Sequence, residues 1–153
     1  MKKVSGEIIL IDEQKYEKEI MSVTLDQLRY EIHIKYLNRA EDALDYLKHS
    51  RKEIFLIIAD YNLSEREGGF HLKKIIDADP ELKSKSVPFV FSCAEPTKQE
   101  IDKAYQYNIQ GFFKKPQSME KLNVILDVII KYWVINKHPN KLEEVFEQEH
   151  QST

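Results

Sequence analysis

An open parallel β-sheet with helices on both faces is the fold class the sequence predicts, and three observations predict it. First, the six residues Ile54 to Ala59 carry no charge and are bounded by Glu53 before and a polar cluster after. A run that short and that apolar suits a strand buried on both faces. Second, such runs alternate along the chain with segments whose apolar residues recur at helical spacing. Third, carboxylates stand at the carboxyl ends of two of these runs, Asp12-Glu13 after the first and Asp60 after Ile54–Ala59. In open α/β sheets, ligands sit in the crevice beyond those ends.

Each element follows in order. Glu7 to Ile11 reads as the first buried strand. Tyr16, Ile20, Val23 and Leu28 recur at roughly helical spacing, so Lys15 to about Arg29 is expected to be a helix with these residues inward. Tyr30 to Tyr36 alternates Ile32, Ile34 and Tyr36 with Glu31, His33 and Lys35, the pattern of a half-exposed strand near the sheet edge. His33, on the polar side, reads as a surface residue rather than a ligand. Asn38 is the expected cap of a short helix with Ala40, Ala43, Leu44 and Leu47 inward.

The Ile54–Ala59 strand is followed by a polar loop from Asn62 to Gly69, where Gly68 and Gly69 allow backbone angles closed to other residues. Phe70 to about Asp77 is the third helix, with Leu72, Ile75 and Ile76 inward, broken by Asp79-Pro80. Val87 to Ser92 is the fourth strand. Pro96 is expected in the first turn of a fourth helix, with Ile101, Ala104 and Tyr105 inward and Asn108 as a left-handed stop. Gly111 to Phe113 is a brief fifth strand closed by Lys114-Lys115-Pro116. A long fifth helix runs from about Ser118 to Lys137, before Pro139.

Five βα units with right-handed crossovers give a parallel sheet with helices on both faces. The flavodoxin-like strand order 2-1-3-4-5 is expected, with its crevice between strands one and three. That order sets Asp12, Glu13 and Asp60 side by side. Three converging carboxylates repel one another unless a hard cation neutralises them, and Mg²⁺ suits such an oxygen set. Lys115, at the end of strand five, can supply a positive charge across the cleft.

Composition narrows the function classes. The 153 residues are 42% hydrophobic and 32% charged, as in one soluble globular domain. A net charge of −3 argues against bulk attraction to nucleic acid or membrane. No apolar run approaches the roughly 18 residues of a membrane span. The N-terminus Met1-Lys2-Lys3-Val4 has no signal-peptide core. The single cysteine, Cys93, excludes an internal disulfide and fits a reducing compartment, so the cytoplasm is expected.

Four segments carry a resemblance: I-L-I-D-E at Ile9–Glu13, A-D-Y-N-L at Ala59–Leu63, P-F-V-F-S-C-A at Pro88–Ala94 and G-F-F-K-K-P at Gly111–Pro116. In this order and spacing the chain resembles the CheY-like receiver domain of bacterial two-component response regulators, over roughly Glu7 to Lys137. The resemblance implies phosphoryl transfer onto Asp60 from a histidine kinase or phosphotransfer protein, or from a small phosphodonor. It implies Mg²⁺ held by Glu13, Asp60 and the main-chain carbonyl of Asn62, with Asp12 acting through water. It assigns to Lys115 the neutralisation of phosphoryl oxygens, and to Phe112 the aromatic switch position.

Several positions depart from that pattern. The Ser/Thr hydroxyl that binds the phosphoryl group falls on Cys93, and Ser92 serves only if the strand shifts by one residue, which turns its side chain to the other face. A thiol is a weak donor compared with a hydroxyl. Glu13 replaces the commoner Asp, Ser64 stands where Pro is usual, and Asn108-Ile109 replaces Gly-Ala.

Residues 1–137 are thus expected to form a stand-alone receiver and 138–153 a short tail. From Pro139 only 15 residues follow, too few for a DNA-binding module, and Leu142, Val145 and Phe146 suit a helical turn or two. Two function classes stand: a phosphoacceptor that signals through a protein partner, and a receiver-like binding module that no longer needs phosphate. A flavodoxin-like redox enzyme is disfavoured by the lack of a recognisable phosphate-binding loop after strand one. On the last helix, Leu122, Leu126, Ile129 and Trp133 form the inward stripe. Val124, Val128, Tyr132 and Ile135 form a second apolar face that the core does not require. Either a second subunit covers it, through the fourth and fifth helices as receivers commonly associate, or the Leu142–Phe146 segment folds back over it. The subunit is the favoured cover.

Overall fold

The structure, a computed structural model, describes residues 1–64 and 68–137. In chain order the elements are β1 (Lys2–Ile11), α1 (Lys15–Gln27), β2 (Tyr30–Leu37), α2 (Ala40–His49), β3 (Ile54–Asp60), α3 (Gly68–Ala78), α4 (Pro80–Ser84), β4 (Phe89–Cys93), α5 (Lys98–Ala104), β5 (Gly111–Lys114) and α6 (Met119–Ile135). Every strand pairing is parallel, and the sheet order is β2-β1-β3-β4-β5, as the alternating pattern predicts.

The sheet divides the core in two. On one face Ile9, Ile11, Ile57, Ala59, Phe89 and Phe91 pack against α2, α3 and α5. On the other, Ile8, Leu10, Leu56, Ile58 and Val90 pack against Met21 and Leu25 of α1 and Leu126, Ile130 and Trp133 of α6. Alternation along each strand sends neighbours to opposite faces, so the inner strands β3 and β4 need apolar cover on both, while the edge strand β2 keeps Glu31 and His33 exposed.

The helices depart from the expected details in ways that hydrogen bonding and packing explain. Helix α1 turns Met21, Thr24 and Leu25 inward and leaves Tyr16 and Val23 exposed, so its buried face lies about one residue's step round from the expected one. Thr24 is tolerated there because its hydroxyl donates to the Ile20 carbonyl at 2.9 Å. Arg39, not Asn38, occupies the cap position of α2, with extended backbone and no side-chain capping bond to the first turn. Asp79-Pro80 does end α3, but it also starts the short α4. The Asp79 carboxylate accepts from the Glu81 and Leu82 N–H groups, and Pro80 needs no partner in the first turn.

Pro96 lies outside α5, which is started by Thr97 in a reciprocal capping box with Glu100. Tyr105 is exposed, and Asn108 is not among the left-handed residues; among the described non-glycine residues these are Arg29 and Ser86. α5 instead ends on Tyr105 in ordinary right-handed geometry. Ser118 caps α6, whose buried set includes Ile130 and Val134 beyond the expected stripe, while Leu122 is only half-buried. Val124, Val128, Tyr132 and Ile135, the second apolar face that periodicity predicts, are 55–74% exposed. The Leu142–Phe146 segment lies outside the described residues.

Candidate functional site

The carboxyl ends of β1, β3, β4 and β5 meet at one edge of the sheet. Pairing of Ile11 with Ala59 and of Asp60 with Ser92 sets the three adjacent strand ends level. Asp12, Asp60 and Lys115, far apart in the chain, are thereby neighbours. The Lys115 main-chain N–H donates to the Cys93 carbonyl at 2.8 Å, which anchors the lysine against the end of β4.

The Lys115 ammonium donates to Asp12 Oδ2 at 2.8 Å and to Asp60 Oδ2 at 3.2 Å, with Glu17 Oε1 at 3.7 Å. The remaining carboxylate oxygens are held by main-chain donors two residues on: Gln14 N–H to Asp12 Oδ1 and Asn62 N–H to Asp60 Oδ1, each at 2.9 Å. Asp12 is only 1% exposed, a burial that an ionised carboxylate tolerates because both its oxygens are bonded. Burial works to lower the Lys115 pKa. The hydrogen bond and charge of Asp12, reinforced by Asp60 and Glu17, outweigh it and hold the ammonium above the ordinary lysine range.

Glu17, absent from the sequence-derived set, is therefore part of the cluster. Its legible signal was an acid in the first turn of α1, five residues past Asp12. Burial pushes its carboxyl above the usual range; Lys115 opposes this, and the charges of Asp12 and Asp60 add to it.

Two glycines bring α3 up to the site. Gly68 has φ +66°, and a Cβ on Gly69 would stand 2.4 Å from the Asp60 carbonyl oxygen and 2.9 Å from Phe91 Cε1. Any side chain at Gly69 would push the helix away from the strand that carries Asp60.

Glu13 does not face Asp60 in this conformation. It is exposed, and its carboxylate accepts from the Ser64 main-chain N–H and, at 2.7 Å, from the Ser64 hydroxyl. Among the described residues no three acidic, histidine or cysteine side chains converge as a metal cage. The donor set still fits Mg²⁺ in kind: Asp12, Asp60 and Glu13 are hard oxygen donors at adjoining strand ends, beside the Asn62 main-chain carbonyl. Asp12 and Asp60 are already in place, and Glu13 joins them only by leaving Ser64.

Cys93 is fully buried on the α2–α5 face, and its sulfur accepts from Asn62 Nδ2 at 3.2 Å. Burial pushes its thiol pKa up, and the charges of Glu100 and Asp60 push the same way against hydrogen bonds from the Glu95 backbone and Asn62, so the group stays a protonated thiol. Phe112 packs on the same face, its ring 5.5 Å from Tyr61 and 5.9 Å from Phe91. Ser92 points the other way, into a cleft of about 400 Å³ between the sheet, α1 and α6 that ends at Asp12 and Lys115.

Residues 8–127 match the family model for the response regulator receiver domain. The two-component response regulator ARR10 of Arabidopsis thaliana is 19% identical over 139 residues, covering 91% of this chain and 24% of the relative. The chain thus spans about a quarter of the length of that curated relative. Among solved structures, the phosphorylated cyanobacterial phytochrome response regulator RcpA superposes with TM-score 0.74 at 20% identity over 88% of this chain and 98% of that one. The Mn²⁺-bound form of response regulator Rcp1 follows at 0.71 and 18%, over 87% and 97%. Chemotaxis protein CheY4 of Vibrio cholerae gives 0.64 and 19%, over 82% and 99%. At such identities the likeness of these structures speaks for the fold.

Proposed function

Since the chain belongs to the response regulator receiver domain family, whose members serve phosphoacceptor signalling in two-component systems, we propose that Asp60 is its phosphoacceptor. We further propose that the donor is a histidine kinase or phosphotransfer protein and that a downstream protein reads the result. The observation that carries this is the shared ammonium: Lys115 bonds both Asp12 and Asp60. A cation is thus held where phosphoryl charge would develop. Exposure to acetyl phosphate, read by intact mass, is the test.

In the proposed reaction an Asp60 carboxylate oxygen attacks the phosphorus of a phosphohistidine. The P–N bond breaks, its electron pair leaves with the imidazole, and a P–O bond to Asp60 forms. Mg²⁺, held by Asp12, Glu13, Asp60 and the Asn62 carbonyl, would supply charge neutralisation to the phosphoryl oxygens. Lys115 would exchange its bond to Asp60 for one to a phosphoryl oxygen while keeping Asp12. The apolar cleft beside Lys115 suits docking of a protein donor. Receiver domains are signalling domains rather than enzymes in general, and the chemistry proposed here is confined to the chain's own phosphorylation and dephosphorylation.

One observation favours the second class, a binding module independent of phosphate. The hydroxyl position is a thiol already engaged by Asn62, a weak donor with which to pull Phe112 inward. Cys93 shares a face with Phe112 and Ser92 does not, which supports Cys93 as the residue that would couple phosphorylation to Phe112. Cys93→Thr is expected to strengthen the phosphorylation dependence of partner binding, and Ser92→Ala to change it little. Affinity measured with and without phosphorylation checks this. Loss of phosphoryl transfer in Ser92→Ala, with Cys93→Ala unaffected, would reverse the assignment.

The exposed apolar face of α6 supports a homodimer through α5 and α6. Burying four such side chains at about 25 cal/mol per Å² is worth several kcal/mol. Val128→Glu is expected to convert a dimer to monomer in sedimentation. A wild-type monomer that stays equally soluble and stable when shortened to Lys137 refutes both the dimer and a covering tail. No helix among the described residues is long and apolar enough to cross a membrane. With the buried free thiol of Cys93, that supports a cytoplasmic location.

A further inference from the structure

Glu13 and Ser64 both depart from the receiver pattern, and they touch each other across 51 residues of sequence. The pairing is reciprocal in chemistry. Ser64 offers two donors, its N–H and its hydroxyl, and both are spent on one carboxylate. A proline at position 64 would have neither donor, and an aspartate at position 13 would be one methylene shorter. The contact therefore needs the unusual residue at both positions. It also has a consequence for the site: it turns away from Asp60 the one acidic side chain of the trio that Lys115 does not hold.

Resting on the functional reading above, we propose that Ser64 is a positioning residue that latches Glu13 away from the cation site. Loading the site with Mg²⁺ and freeing the start of the β3–α3 loop are then a single event. Asp12 and Asp60 hold their places through Gln14, Asn62 and Lys115 and need no such release. Glu13 alone must give up two hydrogen bonds to reach the cation, so the latch lowers the protein's affinity for Mg²⁺. It also gives Ser64 two states, one tied to Glu13 at the end of β1 and one released. A ligand shifts such a pair of states by no more than its difference in affinity for them.

The test is calorimetric titration of the full chain with MgCl₂ alone, without phosphodonor. Ser64→Ala, which keeps the N–H, is expected to bind Mg²⁺ about fivefold more tightly than wild type, the scale of one net hydrogen bond. Ser64→Pro removes both donors and is expected to bind more tightly still, while Ser64→Thr restores the wild-type value. On a Glu13→Asp background Ser64→Ala is expected to have no effect, since the shorter carboxylate has left the latch. In wild type, Mg²⁺ is expected to speed amide exchange at Ser64, whose N–H loses its acceptor. An unchanged or weakened affinity in Ser64→Ala overturns the latch, as does an equal change with Asp at position 13. Absence of Mg²⁺ binding in wild type and every variant overturns the functional reading together with the latch. Binding that ignores Ser64 overturns the latch alone.

Discussion

Incubated with acetyl phosphate and Mg²⁺, the wild-type chain is expected to gain one phosphoryl mass, and the Asp60→Asn variant none. The loss is expected to be complete because an amide oxygen is a poor nucleophile and neither neighbouring carboxylate is placed to substitute. Asp12 is buried, with one oxygen on Lys115 and the other on the Gln14 N–H. Glu13 is turned outward onto Ser64. Excess chelator is expected to suppress labelling of wild type as well, because the acid cluster repels a phosphate donor until a cation joins Lys115. Labelling that survives the substitution would remove Asp60 from the role, wild-type labelling undiminished in chelator would remove the Mg²⁺ requirement, and no labelling of wild type would leave the phosphate-independent binding module as the better account.

The next largest effect is expected at Lys115. Lys115→Met keeps the stem but removes the charge that Asp12 and Asp60 share. Breaking a buried pair by deleting one partner costs about 3–5 kcal/mol. Lys115 retains 19% side-chain exposure, so a loss of about 2–3 kcal/mol is expected here. Urea denaturation at neutral pH without metal measures it. The sign with pH follows from the raised Lys115 pKa. The folded state holds that proton more tightly than the unfolded chain does. The stabilisation is therefore fully present below the unfolded lysine value of about 10.4 and is lost as pH rises through the higher folded value. The gap between wild type and variant should be flat across the neutral range and begin to close only in strong alkali. A variant as stable as wild type, or a gap that closes near pH 7, would show that the ammonium does not hold the cluster together. Mg²⁺ should restore part of the lost stability, since it brings charge to the same carboxylates.

Some of these positions are legible in the sequence and some are not, and the difference has a physical pattern. The strands were legible because a strand covered on both faces must be apolar throughout, as at Ile8–Ile11 and Ile54–Ala59. Helix faces were less so. In α1 the choice between the Tyr16/Val23 side and the Met21/Leu25 side turns on Thr24, whose burial depends on a bond back to Ile20. The extra helix α4 was hidden because Asp79-Pro80 ends one helix and starts another with the same two residues.

The order of apolar runs along the chain, with short connections and right-handed crossovers, narrows the sheet to the doubly wound orders, of which 2-1-3-4-5 is the one expected and the one found. Once that order is set, Asp12, Asp60 and Lys115 must converge, because they sit just past the ends of adjoining strands. Side-chain direction at that edge belongs to the tertiary structure alone. A carboxylate past a strand end has several rotamers within reach, and its choice depends on donors that arrive from distant parts of the chain. Asp12 and Asp60 turn to Lys115, Glu17 joins them from the first turn of α1, and Glu13 turns to Ser64. No local pattern records those choices, since each is made between residues dozens of positions apart that compete for the same few donors.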